Sequence, residues 1–290
     1  MSNTQAQTTT DVAFGFVQAL AAELSSGRLD LPSFPEIAIR VRRVLADDNS
    51  TLEKVVRVVG SEPALAARLL RMANSASLNT TGRQIADLRT AINRMGYNMV
   101  RSASMSFAMA QIRNNSKLAS IKPQLDELWE RSTLVAAIAY VIARRCTKLN
   151  PDAAMLAGTM HGIGKLYVLT RVAAHPELFV SADAVKRIID EWHVQIGRAI
   201  LESWEFAEET VAAIGDQDDP DRDGPEVADL GDVIATANMA APYASRPDQL
   251  PASAATLAAP TRLGLDQESL RRVLDESAVE MAALRSALGA

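Results

Sequence analysis

From about residue 17 to residue 288, this chain carries apolar side chains at helical spacing, broken at intervals by helix start and stop signals. Val17, Leu20, Ala21 and Leu24 recur three and four residues apart, and Gly27 follows as a stop. Ser33-Phe-Pro-Glu36 reads as a capping box opening a helix that buries Ile37, Val41 and Val44, and Ser50-Thr-Leu-Glu53 repeats the device ahead of Val55, Val56 and Val59. Gly60 closes that helix, and Pro63 suits the first turn of the next, which carries Leu65, Leu69 and Met72. Ile85, Leu88, Ile92 and Met95 define another helix that stops at Gly96, and one more runs from about Tyr97 to Arg113. No segment alternates convincingly as a strand. Aromatics are only 4% and alanine, the best helix former, is the commonest residue, so the expected class is all-α.

The polar stretch Asn114 to Lys122 marks an expected seam between an N-terminal lobe (residues 11–113) and a second lobe (residues 123–241), with residues 1–10 as a disordered tail. The second lobe opens with a helix through Leu125, Leu128, Trp129, Ser132, Ala136, Ala139 and Ala143. Asn150-Pro151 starts a helix that continues through His161; a helix with Ile188, Ile189, Trp192 and Ile196 reaches Trp204; shorter ones cover about Ala207–Gly215 and Leu230–Ala241. Pro242 to Leu265 reads as a Pro/Ala/Ser-rich loop, and Asp266 caps one last amphipathic helix carrying Leu270, Val273, Leu274, Met281, Leu284 and Leu288. That helix is expected to pack on its own bundle.

At 290 residues the chain can bury about three quarters of the surface its unfolded form exposes, and needs no disulfide or structural metal. Its single cysteine, Cys146, excludes an intrachain disulfide and a cysteine-based zinc site and suits a reducing cytoplasm; it reads as a packed thiol near a helix end. The longest apolar stretch, Thr133–Ala143, is too short to span a bilayer, and residues 1–10 lack the pattern of a signal peptide, so cytoplasmic placement is expected.

Net charge is −5 but unevenly distributed: Arg28 to Arg113 holds 13 basic and 7 acidic residues, while Asp216 to Asp232 holds eight acids around one base, Arg222. Neither a Gly-rich phosphate loop nor a G-x-S-x-G elbow occurs. Three histidines exist: His161, His193 and His175, the last read as loop surface beside Pro176.

Leu31-Pro-Ser-Phe-Pro35, Ser61 to Arg71, Ala73-Asn-Ser-Ala76, Ile85 to Gly96, Leu128 to Ser132, Leu156 to Leu169 and His193 to Trp204 together resemble the HDOD domain over about residues 28–220. That family is similar to the HD-type metal phosphohydrolases, including the HD-GYP enzymes that cleave cyclic di-GMP. The resemblance implies an all-helical, two-lobed bundle of bacterial signalling proteins, generally without demonstrated catalysis.

In the HD enzymes, an early His, a His-Asp pair, further His residues and a late Asp hold metal ions that activate water. The resemblance places Arg131 at the early His, His161 and Gly162 at the pair, His193 at a later His, Gln217 and Asp218 at the paired later His positions, and Asn238 at the late Asp. A cation, a residue without a side chain and a neutral amide stand where those enzymes have ligands. The sequence therefore predicts no catalytic residues, no metal and no cofactor, with Asp216 or Asp218 as the route by which a weak metal site could be rescued. Arg131 could pair with a carboxylate in the former metal pocket, or simply be solvated.

Arg40 and Arg43 share a helix face, as do Arg68 and Arg71; with Asn74 they are the candidate anion- or partner-binding residues, against the plainer reading of solvated arginines and a helix-end cap. The overall acidic charge argues against nucleic acid. The expected function is a non-catalytic signalling module acting through protein contacts or a small anionic effector, with a cyclic dinucleotide as one candidate ligand. The alternative is a divergent metal phosphohydrolase acting on nucleotides or cyclic dinucleotides.

Overall fold

Several helices begin where a side chain or a proline takes care of free first-turn amides. The computed structural model describes residues 15–16, 18–26, 34–47, 49–75, 78–79, 82–173 and 182–289; the expected tail at 1–10 and His175 lie outside them. The helices are α1 (residues 18–26), α2 (Glu36–Ala46), α3 (Leu52–Gly60), α4 (Pro63–Ala73), α5 (Leu88–Arg113), α6 (Lys122–Cys146) and α7 (Pro151–Met160). They continue as α8 (Ile163–Val172), α9 (Ala182–Ser203), α10 (Glu208–Gly215), α11 (Leu230–Ala240), α12 (Ala258–Arg262), α13 (Gln267–Glu276) and α14 (Ala278–Leu288). The described residues contain no strand, and the protein is all-helical.

Asp87 Oδ1 accepts from Thr90 N at 2.7 Å, Asn150 Oδ1 from Asp152 N at 2.9 Å, and Asp266 Oδ1 from Ser269 N at 2.8 Å. Asp229 and Asp232 cap α11 reciprocally, each carboxylate accepting from the other's backbone N–H. Two expected starts move. Helix α2 begins only after Pro35, with no side-chain cap, rather than at a Ser33 box. Phe34 would be the first helical residue of that box, and a residue before proline is pushed out of the α region. In α3 the cap is Thr51, one residue later than Ser50, with Thr51 Oγ1 accepting from Lys54 N.

Two further expectations are corrected. Residues 242–265 are not plain loop: they contain three short 3-10 turns and α12, whose Ala259 and Pro260 are buried. The expected last helix is two, α13 and α14, broken at Ser277, where ψ is 5° and the backbone N–H turns to Asp275 O and Val273 O. Gly96 ends one helical run as expected, at φ 74° and ψ 166°, and the chain re-enters helix immediately toward Arg113.

Core packing passes through α5 and α6. One apolar cluster joins α2–α5, the C-terminal two thirds of α6, α11, α13 and α14; another joins α1, the ends of α5 and α7, the start of α6, and α8–α10. The 114–122 segment carries Leu118 and Ile121 into the second cluster, so it is packed rather than a solvated spacer. Val44 is only partly buried, its expected place in the core taken by Leu45. At Gly164 a Cβ would lie 1.8 Å from His193 O, so α8 can lie backbone-to-backbone on α9 only because this residue is glycine.

Candidate functional site

Six elements converge on the HD-like pocket. Helix α6 brings Arg131 and Ser132, the end of α7 brings His161 and Gly162, α8 Lys165, α9 His193, the turn after α10 Gln217 and Asp218, and α11 Asn238. His161 is buried and caps α7, which ends at Met160 where the expected helix continued through His161; its Nδ1 is 2.7 Å from Gly158 O, so Nδ1 carries the proton and donates. Burial, with the charges of Lys165 and Arg131 adding to it, drives its imidazole down to about 3, and it is neutral near pH 7. His193, also buried, contacts Asp218 Oδ2 through Nε2 at 2.7 Å, while the Gln217 side-chain amide donates to Nδ1 at 3.4 Å. Burial alone would raise the Asp218 carboxyl, but the bonds from His193 and Asn238 and the charge of Lys165 outweigh it and hold it at about 2.

Asn238 ties this cluster to Arg131. Its Nδ2 donates to Asp218 Oδ1 at 2.8 Å and Gln217 O at 3.0 Å, and Arg131 Nη2 donates to its Oδ1 at 2.8 Å and its carbonyl at 2.6 Å. Arg131 is thus half-buried in the pocket, but its direct partner is an amide and not the expected carboxylate; Asp218 acts on it only through charge. At Gly162 a Cβ would lie 2.7 Å from Leu128 Cδ1 and 2.8 Å from Ser132 Oγ, so the volume of the missing aspartate is filled by neighbours.

The residues present do not fit the metal centre of the HD enzymes. No group of three His, Cys, Asp or Glu among the described residues could hold an ion. Asp218 is committed to His193 and Asn238, and Asp216, the other candidate for rescue, accepts from Arg222 Nε at 2.9 Å. Arg222 sits at the centre of the acidic stretch, also donating to Asp229 and Asp232, and Arg262 bonds Asp232 from the other side. Burial would lower Arg222, but these carboxylate bonds raise it further still, and the acids are spent on cross-linking the segment.

Of the first-lobe candidates, Arg40, Arg43 and Arg71 are exposed, but Arg68 is only 7% exposed and shares no open face with Arg71. Arg68 Nη2 donates to Leu288 O at 2.6 Å and its guanidinium lies over Phe107, which makes it a packing residue; burial and the nearby Arg71 and Arg113 charges bring it down to about 10. Asn74 caps α4 and clamps Ile85, donating to Leu70 O and Ile85 O and accepting from Ile85 N, each at 2.8 Å. Cys146 is a half-buried thiol at the end of α6, raised by burial.

Beside Arg131 opens a cleft of about 960 Å³ between α6, α8, α9 and α14, lined among others by Lys165, Lys186, Met281 and Arg285. Sequence reasoning did not find it. Lys165 and Arg285 stand 120 residues apart, and only the fold brings them to one cleft.

An all-helical bundle with an HD-like pocket is the class of protein that this fold and site define. The HDOD domain profile matches residues 31–220, and the chain belongs to the HDOD domain family. A solved structure from Shewanella amazonensis SB2B, named as a candidate metal-dependent phosphohydrolase, is 28% identical, superposes with a TM-score of 0.67 and covers 92% of this chain and 99% of that one. One from Marinobacter aquaeolei VT8, named as a candidate signal transduction protein, is 20% identical with a TM-score of 0.59, over 96% of this chain and 66% of that one, and shows the fold alone. A Treponema pallidum (strain Nichols) protein of uncharacterized role is 23% identical over 237 residues, 76% of this chain; the chain spans 44% of that relative's length. No helix among the described residues is long and apolar enough to cross a membrane.

Proposed function

We propose that this chain is a non-catalytic regulatory module of bacterial signal transduction, working in the cytoplasm through contacts with signalling proteins or through a small anionic effector. The observation that carries this reading is the interlinked pocket. Arg131, Asn238, Asp218, His193 and Gln217 are bonded to one another, and Leu128 and Ser132 fill the space beside Gly162. A phosphohydrolase of this type needs ligands free to take a cation; here the guanidinium already supplies the positive charge. The purified protein is expected to hydrolyse no cyclic dinucleotide with added manganese or iron. Turnover that disappears in His161→Ala would overturn the reading.

The second reading, a divergent metal phosphohydrolase acting on nucleotides or cyclic dinucleotides, is favoured by the 28% identity to the Shewanella amazonensis structure named for that activity. Elemental analysis separates the two. Near-stoichiometric transition metal in the purified protein supports the enzyme, and its absence supports the module.

A further inference from the structure

The cleft beside Arg131 is built differently from the pocket behind it. Its volume, about 960 Å³, falls within the range of small-molecule sites. Leu128, Leu134, Leu169, Ile189 and Met281 give it an aliphatic floor and walls, and no aromatic side chain lines it, so it offers no surface on which a nucleobase would stack. Four cations line it, Arg131, Lys165, Lys186 and Arg285, against two exposed acids, Glu127 and Glu130.

Those cations are not equally committed. Lys186 pairs with Asp190 on its own helix, and Arg131 spends one Nη on Asn238. Lys165 is half-buried with no hydrogen bond or ion pair to any described residue, and the buried Nε–H of Arg285 has no acceptor. A buried N–H left unpaired is costly, and an anion lying in the cleft would satisfy it while pairing with the Lys165 ammonium.

We infer that this cleft binds an amphipathic anion, a carboxylate or phosphate monoester on an unbranched aliphatic chain, with the head group on Lys165 and Arg285 and the chain along the Leu134–Met281 wall. The inference deepens the regulatory reading by naming the class of effector. Wall and head-group site both draw on α14, which lies beyond the residues that match the HDOD domain, so the site joins the matched helices to the C-terminal one.

Titration calorimetry on the full chain, with decanoate and decyl phosphate held below their micelle concentrations, tests it, with neutral decyl glucoside as the control. At least one anion should bind saturably while the glucoside does not, and the stronger of the two identifies the head group. Lys165→Gln and Arg285→Gln should each weaken binding about tenfold or more without lowering the melting temperature, as expected when one charge-assisted hydrogen bond to the ligand is lost. Ala282→Trp, at an exposed position on the cleft wall, should abolish binding while leaving the circular dichroism spectrum intact. Failure of both anions to saturate, equal affinity for the glucoside, or indifference to both charge variants would overturn the inference. Turnover of a cyclic dinucleotide by the same preparation would instead overturn the regulatory reading, whatever the alkyl anions do.

Discussion

At the scale of single residues, the pocket's two histidines are buried and already bonded to protein groups. His161 keeps its position but is sealed, neutral, and bonded to a backbone carbonyl. Its imidazole titrates at about 3, against 6.5 unperturbed. An unfolded chain therefore takes up a proton near pH 6.5 that the folded one refuses until about pH 3, so stability falls as pH drops through that window. The slope from this one group is at most about 1.4 kcal/mol per pH unit. Asp218 acts in the same direction, but only below its ordinary carboxylate range, since its folded value is about 2. Urea unfolding of the wild type between pH 6.5 and 4.5 should therefore lose stability steeply, and His161→Gln should lose less over the same range. Identical slopes for the two proteins would show that His161 is not the group responsible.

Among the elements, close approach and chain reversal rest on particular glycines. Gly164 is the contact point of α8 on α9: a methyl group there would run into His193 O, backbone against backbone, with no flexible side chain to move aside. Gly164→Ala should therefore cost about 3 kcal/mol, at the upper end for overpacking, and should also disturb the His193–Asp218 contact. At Gly96, where φ is 74° and ψ 166°, an alanine has room but the wrong backbone preference, and should cost about 1–3 kcal/mol. Gly60→Ala, in regular helix, is the comparison and should be neutral or mildly stabilising. Denaturant midpoints for the three variants check the ranking, and a Gly164→Ala protein as stable as Gly60→Ala would refute the packing argument. The sequence made Gly96 legible as a helix stop, because a glycine after a periodic run carries a local signal. Gly164 carried none, because its requirement comes from a helix about 30 residues further on. The same division runs through the site. Arg131, His161, His193 and Asn238 were found by resemblance, and the fold does bring them together. Arg68 was misread as half of an exposed pair because the element that covers it is α14, far along the chain. The start of α2 shows that even a local signal fails when a stronger local constraint, Pro35, competes with it.

For the whole molecule, the question is what α13 and α14 do, given that they lie outside the residues matching the HDOD domain. Leu270, Leu274, Met281, Leu284 and Leu288 are all at most 4% exposed and belong to the same apolar cluster as α2–α6. Polar bonds reinforce the docking: Arg68 and Ser106, on α4 and α5, both donate to Leu288 O, at 2.6 Å each, and Trp129 Nε1 reaches Gly289 O at 3.3 Å. On the surface, Arg144 and Arg145 hold Glu280, but exposed pairs of this kind add little. Burying five large aliphatic side chains at about 2 kcal/mol each is worth on the order of 10 kcal/mol, which is comparable to the entire net stability of a typical domain. The C-terminal pair is therefore part of the folding unit as well as a wall of the cleft. Removal of residues 267–289 should abolish the cooperative thermal transition and expose a surface that binds a hydrophobic dye. Leu284→Ala, with its side chain in the middle of that contact, should cost about 2–5 kcal/mol in the full chain. If the shortened chain melts cooperatively near the wild-type temperature, α13 and α14 are a detachable cover, and the remaining residues hold the core by themselves.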